Sequence, residues 1–550
     1  MPHFLKNGHP RRTPRNPGEN RNPQETQAYL VGGGIGSLAA AVHLIQDAKV
    51  PPKNIHVLEA LPVLGGSMDC TGNPSEGYIL RGGRMLNNSY LCTYDLLARI
   101  PSLTDSKKTV MQEIKDFNAI PGNQTHSNAR LIATGEKEAE VLDTSKMGLD
   151  NQERINLLKL TMESEKNVGK KRIDELFPET FFKTKFWYMW ATMFSFQPWH
   201  SAVEFRRHLH RFLHEFAHIN TLEGVNKTPY NQHDSIISPI IKYLQDQGVD
   251  FRYKTRVTDI DFIEGIPMTV NEIHMIEDGT PMTAQVDPAD IVMVTLGSMT
   301  ACSTVGTNLT PPSKILEEGL QGGSWDLWKK MAAKNDNLGN PTNFSSRIQE
   351  SKWEAFTVTL NDPELLRRIE GFTHNEPGTG ALMTFKDSNW LMSIMVPRQP
   401  HFIDQPKDIE VLWGYSLFPD KQGNFVKKPM TECSGKEIME ELLGHLHFPL
   451  HPILEHSITI PCMMPFITSQ FLTRQWGDRP LVIPEGSTNL ALVGQFVEIP
   501  EDTVFTIEYS VRGAQMAVYG LMGLDKKPKP IYKGEYHIGV LTDAMMKIMT

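Results

Sequence analysis

The stretch "YLVGGGIGSLAAAVHLIQDA", residues 29–48, sets the fold. Tyr29–Val31 reads as a short apolar strand, the glycines as a tight turn and the alanine-rich run as a helix. "NIHVLEA" (54–60) then reads as a second strand. In a strand–turn–helix–strand unit Gly32 permits the turn, and Gly34 lets a pyrophosphate approach the backbone at the helix N-terminus. Ser37, where a third glycine often sits, is small enough for close helix–strand packing. Glu59 closes the second strand 22 residues beyond Ser37, where an acid accepts from a ribose hydroxyl. A Gly-rich loop capping an ordinary strand–helix unit leaves Glu59 unexplained, so the unit reads as a dinucleotide site.

Outward from it, "LGGSMD" (64–69) and "RGGR" (81–84) follow. A second glycine pair after the ribose acid belongs to FAD-binding versions of this unit and is rare in NAD-only enzymes. At the far end "NLALVGQF" (489–496) reads as a buried strand ending at Gly494. "EDTVFTIEYSVRGAQMAVYGL" (501–521) reads as a polar turn and a helix starting near Thr503, its amides toward the flavin or its phosphates. "DIVMVTLGSMT" (290–300) is a third strand ending in a glycine turn. The expected class is α/β: a Rossmann-like FAD-binding fold assembled from discontinuous segments, with a mixed-sheet substrate domain and a helical, aromatic-rich insertion. The expected divisions are a disordered basic arm (1–24), the first part of the FAD-binding domain (25–150) and a helical substrate-chamber region (151–245). After these come the middle part of the FAD-binding domain (246–310), a mixed α/β substrate domain (311–480) and a closing segment with C-terminal helices (481–550).

At 550 residues the chain exceeds one ordinary core. A net charge of −9 argues against a general nucleic-acid binder. Five cysteines without CxxC or paired metal spacing read as free thiols in a reducing compartment, with no metal expected. No run approaches the roughly 18 apolar residues of a membrane span. The first 24 residues lack an apolar secretory region, and their prolines oppose the amphipathic helix of a transit peptide. A cytoplasmic protein is expected.

The run "FFKTKFWYMWATMFSFQPWHSAVEFRRHLHRFLHEF" (181–216) is rich in aromatics. That density suits an ordinary core and equally an apolar tunnel for a lipid-like substrate. Phe205, Leu209, Phe212 and Phe216 recur at helical spacing, and His208 shares their face, either as a satisfied core histidine or facing a ligand cavity. His210, His214 and His218 form an i, i+4, i+8 stripe; no carboxylate completes a zinc motif, so a solvated stripe is the plainer reading. Residues 250–300 and 353–420 alternate strand-like runs with turns, which predicts a mixed sheet over the substrate chamber. There is no GxSxG and no persuasive nucleophilic triad.

Over residues 25–540 the chain resembles the oleate hydratases, also called the myosin-cross-reactive-antigen family. The resemblance is carried by "GGGIGSLAAA", "VLEALPVLGGSMD", "RGGR", "FWYMWATMFSFQPWHSAVEFRR", "YNQHDS", "TLGSMTACSTVG", "GGSWDLW", "MMPFITSQF" and "DTVFTIEYSVR", in order. It implies an FAD enzyme, active as FADH2 without net redox, that adds water across a cis double bond of an unsaturated fatty acid to give a hydroxy fatty acid. It implies flavin contacts at Gly32, Gly34, Gly36, Glu59, Ser67, Arg84, Met85, Val257, Ser298, Asp502, Thr503 and Ser510, and contacts to the carboxylate end at Gln232 and His401. A homodimer follows by analogy. The basic C-terminal helices that some members use at membranes are absent, so membrane contact is expected to be peripheral at most.

Two departures bear on catalysis. The family's glutamate after GGR is Met85 here, and methionine cannot accept a proton. The family's protonating tyrosine is His208, expected to serve as the proton donor because imidazolium is the stronger acid by about 3–4 pK units. A threonine and an asparagine of the family's carboxylate pocket map to Met395 and Pro397, which points to an altered substrate. Other readings are a double-bond isomerase, a true flavin oxidoreductase on a lipid-like substrate, and a non-catalytic lipid-binding flavoprotein.

Overall fold

The computed structural model describes residue 13 and residues 15–264, 268–314, 323–380 and 382–550. Its first sheet has five parallel strands in the order Leu490–Val493, Ile291–Thr295, Ala28–Val31, Ile55–Leu58 and Asp250–Arg252. The three strands read from the front, middle and end of the sequence are thus neighbours, as a Rossmann-like fold requires. Ala28–Val31, Ile55–Leu58 and Leu490–Val493 are buried along their whole length, the pattern of a parallel sheet covered by helices. Helices Ile35–Gln46 and Ile507–Met522 pack on each other beside it. The latter starts at Ile507 rather than near Thr503, because Thr506 is its cap and accepts from the Tyr509 amide at 3.2 Å.

The second sheet is mixed and has eight strands, in the order Thr304–Val305, Ser457–Met464, Trp353–Leu360, Glu410–Ser416, Met392–Met395, Met383–Phe385, Leu131–Ala133 and Glu140–Val141. Its pairings are antiparallel except Leu131–Ala133 with Met383–Phe385. Helix Gly435–Leu446 packs over it, burying Phe356, Val358, Leu412 and Leu442 in a separate core.

Three expected boundaries are corrected. Residues 131–141 join the second sheet rather than the dinucleotide fold. Strands Thr255–Phe262, Val270–Glu277 and Thr280–Gln285 form their own antiparallel meander instead of roofing the substrate chamber. The disordered arm does not extend to residue 24. Arg21 is 5% exposed and donates to the carbonyls of Leu521, Ala289, Arg15 and Thr488 at 2.6–2.9 Å, lashing this segment to the body; residues 1–12 and 14 lie outside the described residues.

A hairpin, Cys70–Asn73 with Gly77–Leu80, links the two sheets. The amides of Tyr78 and Leu80 donate to Thr359 and Thr357 side chains at 2.9 Å, pinning the hairpin on the strand Trp353–Leu360. The RGGR loop emerges from its second strand. Opposite it stand helices Lys185–Phe194 and Ala202–Arg211, capped by Thr184 and Ser201. No described helix is long and apolar enough to cross a membrane.

Candidate functional site

The carboxyl ends of parallel strands form the binding edge of such sheets. Gly32 has φ +96°, and a Cβ there would lie 3.0 Å from Thr295 Oγ1. A Cβ on Gly33 would collide with the Leu64 side chain and lie 2.9 Å from Glu59 Oε2, which accepts from the Gly33 amide at 2.6 Å. Gly33, absent from the predicted contacts, is therefore the tightest of the three. The two glycine turns meet: Gly65 donates to the Gly33 carbonyl at 2.9 Å, and a Cβ on Gly66 would come within 3.3 Å of Gly34 Cα. The helix behind Gly34 has no side-chain cap, so its first amides are left for a ligand. Burial raises the pKa of Glu59, against the Leu61 and Gly33 amides that favour its charge.

Of the other expected contacts, Gly36 lies in helix Ile35–Gln46, Ser67 in the turn Gly66–Met68, Val257 in the meander strand Thr255–Phe262, and Ser298 just beyond Ile291–Thr295. Thr503 Oγ1 is buried and lacks a hydrogen-bond partner among the described residues. Ser510 accepts from Gln495 Nε2 at 2.8 Å. Asp502 is buried, and its carboxylate is held by Arg512 Nε at 2.7 Å.

The RGGR loop is fixed from several sides. Arg81 pairs with Asp69 at 2.6 Å, Gly82 O accepts from Gln232 Nε2 at 2.9 Å, and a Cβ on Gly83 would sit 3.3 Å from Met395 Cε. Arg84 bonds its neighbour's carbonyl at 3.2 Å and lies 5.6 Å over the Phe505 ring, with no carboxylate in ion-pair reach among the described residues. Burial pushes its guanidinium down to about 10.

Beyond this loop lies a cavity of about 130 Å³, walled by Met85, Trp190, Phe194, Phe212, Phe216 and Phe505. A dry apolar cavity of about this size takes a benzene-sized group, so it suits a double bond with a few flanking methylenes. Its polar lining comprises Arg84, Asn87, Tyr90, His208, Glu215 and Thr506.

His208 is fully buried, edge-on to Phe194, Phe196 and Phe471 at ring distances of 5.4, 5.0 and 5.4 Å. Its Nδ1 lies 2.9 Å from the Glu204 carbonyl, an acceptor only, which assigns the proton to Nδ1 and leaves Nε2 a lone pair. Nε2 is buried without a hydrogen-bond partner among the described residues. Burial lowers the imidazole to about 4, overcoming the Glu204 carbonyl, the nearby Glu204 and Asp502 charges and the Val504 carbonyl, all of which favour protonation. A charged imidazolium donor at neutral pH does not match these surroundings; a neutral acceptor does. Glu204 itself is held at about 2, because Arg479, Arg474 and Arg207 outweigh its burial.

The structure thus brings Arg84, Met85 and His208 to one cavity. Gln232 and His401 are elsewhere: Gln232 is spent on the loop carbonyl, and His401, lowered by burial to about 4, stands beside it, its carbonyl accepting from the Asn231 amide at 2.8 Å. The histidine stripe is broken because the helix ends at Arg211. His210 meets the Thr161 carbonyl, His214 Asn87 and His218 Glu223. Among the described residues, the groups close enough to share a metal are Cys70, His233, Asp234 and Asp261, Glu272, His274. Tyr90 and Phe505 had no local sequence signal, since only tertiary packing brings them to this cavity.

The MCRA family model matches residues 25–519. The chain is 39% identical over 547 residues to an oleate hydratase of Streptococcus pyogenes serotype M49 (strain NZ131), covering 97% of this chain and 90% of that protein. It is 36% identical over 569 residues to a linoleate hydratase of Lactiplantibacillus plantarum, covering 92% of this chain and 98% of that one. Among solved structures, an oxidoreductase from Methanosarcina mazei matches with a TM-score of 0.52 at 12% identity, over 89% of this chain and 99% of that one, a likeness of fold alone.

Proposed function

The chain belongs to the MCRA family, and on that premise we propose that it is a hydro-lyase adding water across a cis double bond of an oleate- or linoleate-like fatty acid. The product is a hydroxy fatty acid. The observation that carries this reading is the aromatic-walled cavity whose buried acceptor, His208 Nε2, has no hydrogen-bond partner among the described residues. An alkene needs the apolar wall, and an incoming water needs the acceptor.

The edge of the parallel sheet fits FAD. Side chains would fill the approach between the two glycine turns, and the Thr503 hydroxyl is buried without a hydrogen-bond partner among the described residues. Gly32, Gly33, Gly34, Gly36 and Glu59 would hold the ADP half, with Ser67, Arg84, Met85, Val257, Ser298, Thr503 and Ser510 as further contacts; Asp502 positions Arg512. Bound as FADH2, the flavin would organise the site without net redox.

His208 accepts a hydrogen bond from water and takes its proton as the oxygen bonds carbon, a general-base role. The Nδ1–H bond to the Glu204 carbonyl fixes the ring and its tautomer. Met85 takes no proton and helps the aromatic wall exclude other water. Gln232 and His401 are assigned to the carboxylate end of the chain.

Met85 also favours a second reading, a double-bond isomerase, in which a cation loses a neighbouring proton instead of capturing water. The test is mass spectrometry of products from FAD-loaded, reduced protein given oleic and linoleic acids in ¹⁸O-labelled water. A labelled hydroxy acid is expected. Unlabelled isomers of unchanged mass would replace hydratase with isomerase, and stoichiometric use of reductant would replace both with an oxidoreductase.

A further inference from the structure

Hydration needs an acid as well as a base, and His208 is ill placed to be both. Its one N–H is committed to the Glu204 carbonyl at 2.9 Å. Of the other polar groups of the cavity, the Trp190 indole N–H is buried without a partner among the described residues but keeps its proton, and the rest are engaged. Asn87 bonds Glu215, Ser89 and His214; Glu215 is held in its charged form by His214 and Asn87 against its burial. Thr506 donates to the Thr503 carbonyl at 3.0 Å. Arg84 is a guanidinium, which keeps its proton at biological pH. Tyr90 alone presents an O–H with no hydrogen bond among the described residues. It stands just ahead of helix Leu91–Leu97, on the loop that carries Arg84 and Met85.

The rings of Tyr90 and His208 both pack on Phe212, at centroid distances of 6.4 and 6.0 Å. The Arg211 guanidinium lies 5.6 Å over the Tyr90 ring and is anchored by Ser89 at 2.6 and 3.0 Å. Burial raises the Tyr90 phenol above its ordinary value, and the Arg211 cation is the charge that opposes this and steadies the phenolate that proton loss would leave.

We infer that Tyr90 donates the proton to the alkene while His208 receives the proton of the attacking water, an acid and a base supplied by two separate segments. This rests on the hydration reading. The Tyr90 O–H bond breaks as a C–H bond forms at one alkene carbon. A water lone pair forms the C–O bond at the other, and the proton released goes to His208 Nε2. The resulting imidazolium and phenolate are restored by proton return through solvent, and no electrons are exchanged. Arg211 is a positioning residue in this scheme.

The test uses full-length, FAD-loaded, reduced protein with oleic acid in deuterated, ¹⁸O-labelled water. Tyr90→Phe keeps the ring packing and should lower hydration by about 10²–10⁴-fold, the usual worth of a general acid. Fatty-acid affinity, flavin content and melting temperature should hold. Deuterium should no longer enter recovered alkene. His208→Gln should lose ¹⁸O uptake yet keep deuterium exchange. Replacement of Tyr90 by difluorotyrosine, a stronger acid of nearly the same shape, should change the rate and its solvent isotope effect. Tyr90→Phe hydrating within threefold of the parent, or exchange lost in His208→Gln but kept in Tyr90→Phe, would overturn the assignment. A parent that exchanges deuterium without hydrating, through Tyr90, removes the hydration reading and leaves the donor standing. A parent that does neither removes both.

Discussion

The pH–rate profile separates the two roles open to His208. Burial among Phe194, Phe196 and Phe471 lowers its imidazole from an ordinary 6.5 to about 4. The charges that oppose this are Glu204, on its own helix, and Asp502, on the segment before helix Ile507–Met522, and burial outweighs both. At pH 7, about three pH units higher, about one ring in a thousand is charged. Acting as a charged acid would therefore cost about 4 kcal/mol at the outset, at 1.36 kcal/mol per pH unit. Acting as a neutral acceptor costs nothing on this account. The expected kcat of FAD-loaded, reduced enzyme on oleate is flat from pH 6 to 8 and falls only as the pH approaches about 4. A rate that drops tenfold per pH unit above about 6.5 would refute the reasoning. Stability should follow the same sign. The unfolded chain binds this proton first, so stability conferred by His208 is complete above pH 6.5 and is lost as the pH falls toward about 4. The loss approaches about 3 kcal/mol, and His208→Phe should flatten that part of a denaturation-versus-pH curve. His200, held near 3, and His401, near 4, contribute in the same direction, so the flattening is partial.

Three further outcomes follow from the packing. Arg479 is fully buried 3.1 Å from Glu204, in a cluster with Arg474, Arg207 and Glu498. Arg479→Met should cost about 1.5–3 kcal/mol in urea unfolding by leaving the Glu204 carboxylate with Arg474 as its remaining ion-pair partner among the described residues; a loss under 1 kcal/mol would show that the cluster readjusts. Gly33→Ala puts a Cβ against Leu64 and 2.9 Å from Glu59 Oε2, and should reduce flavin content on purification while the second sheet keeps its stability; full flavin content would mean that the two glycine turns do not hold FAD. Arg21→Ala leaves the carbonyls of Ala289, Thr488 and Leu521 without their buried donor. It should lower unfolding free energy by about 2–4 kcal/mol, measured as a shifted denaturant midpoint.

The parallel strands were legible because each is a short apolar run followed by a turn residue, a signal confined to a few neighbouring positions. Their joining into one sheet could be anticipated since no single segment supplied enough strands. Leu131–Ala133 was missed for the opposite reason: three residues carry no measurable alternation, and their partner is Met383–Phe385. Helix Ile507–Met522 starts later than the sequence reading near Thr503, because Asp502 is drawn to Arg512 while Thr506 is the cap. Among three consecutive glycines, sequence could not reveal that Gly33 is the crowded one, because the crowding comes from Leu64 and Glu59.

His208 shows why chemistry is harder to read than fold. From sequence it carries its ordinary affinity for a proton, and on that basis imidazolium looked the better acid. Its working state is set by rings from two other segments and by a carbonyl one helical turn back, which together remove the charge and fix the tautomer. Once that ring is a base, the donor must be sought elsewhere in the same cavity. Tyr90 then becomes relevant through a position that no periodicity marks, on a loop ordered by the hairpin that Thr357 and Thr359 hold. A substitution that seems conservative in function at one residue can thus transfer its role to another, and the cavity, rather than the aligned position, is the unit in which the pair has to be judged.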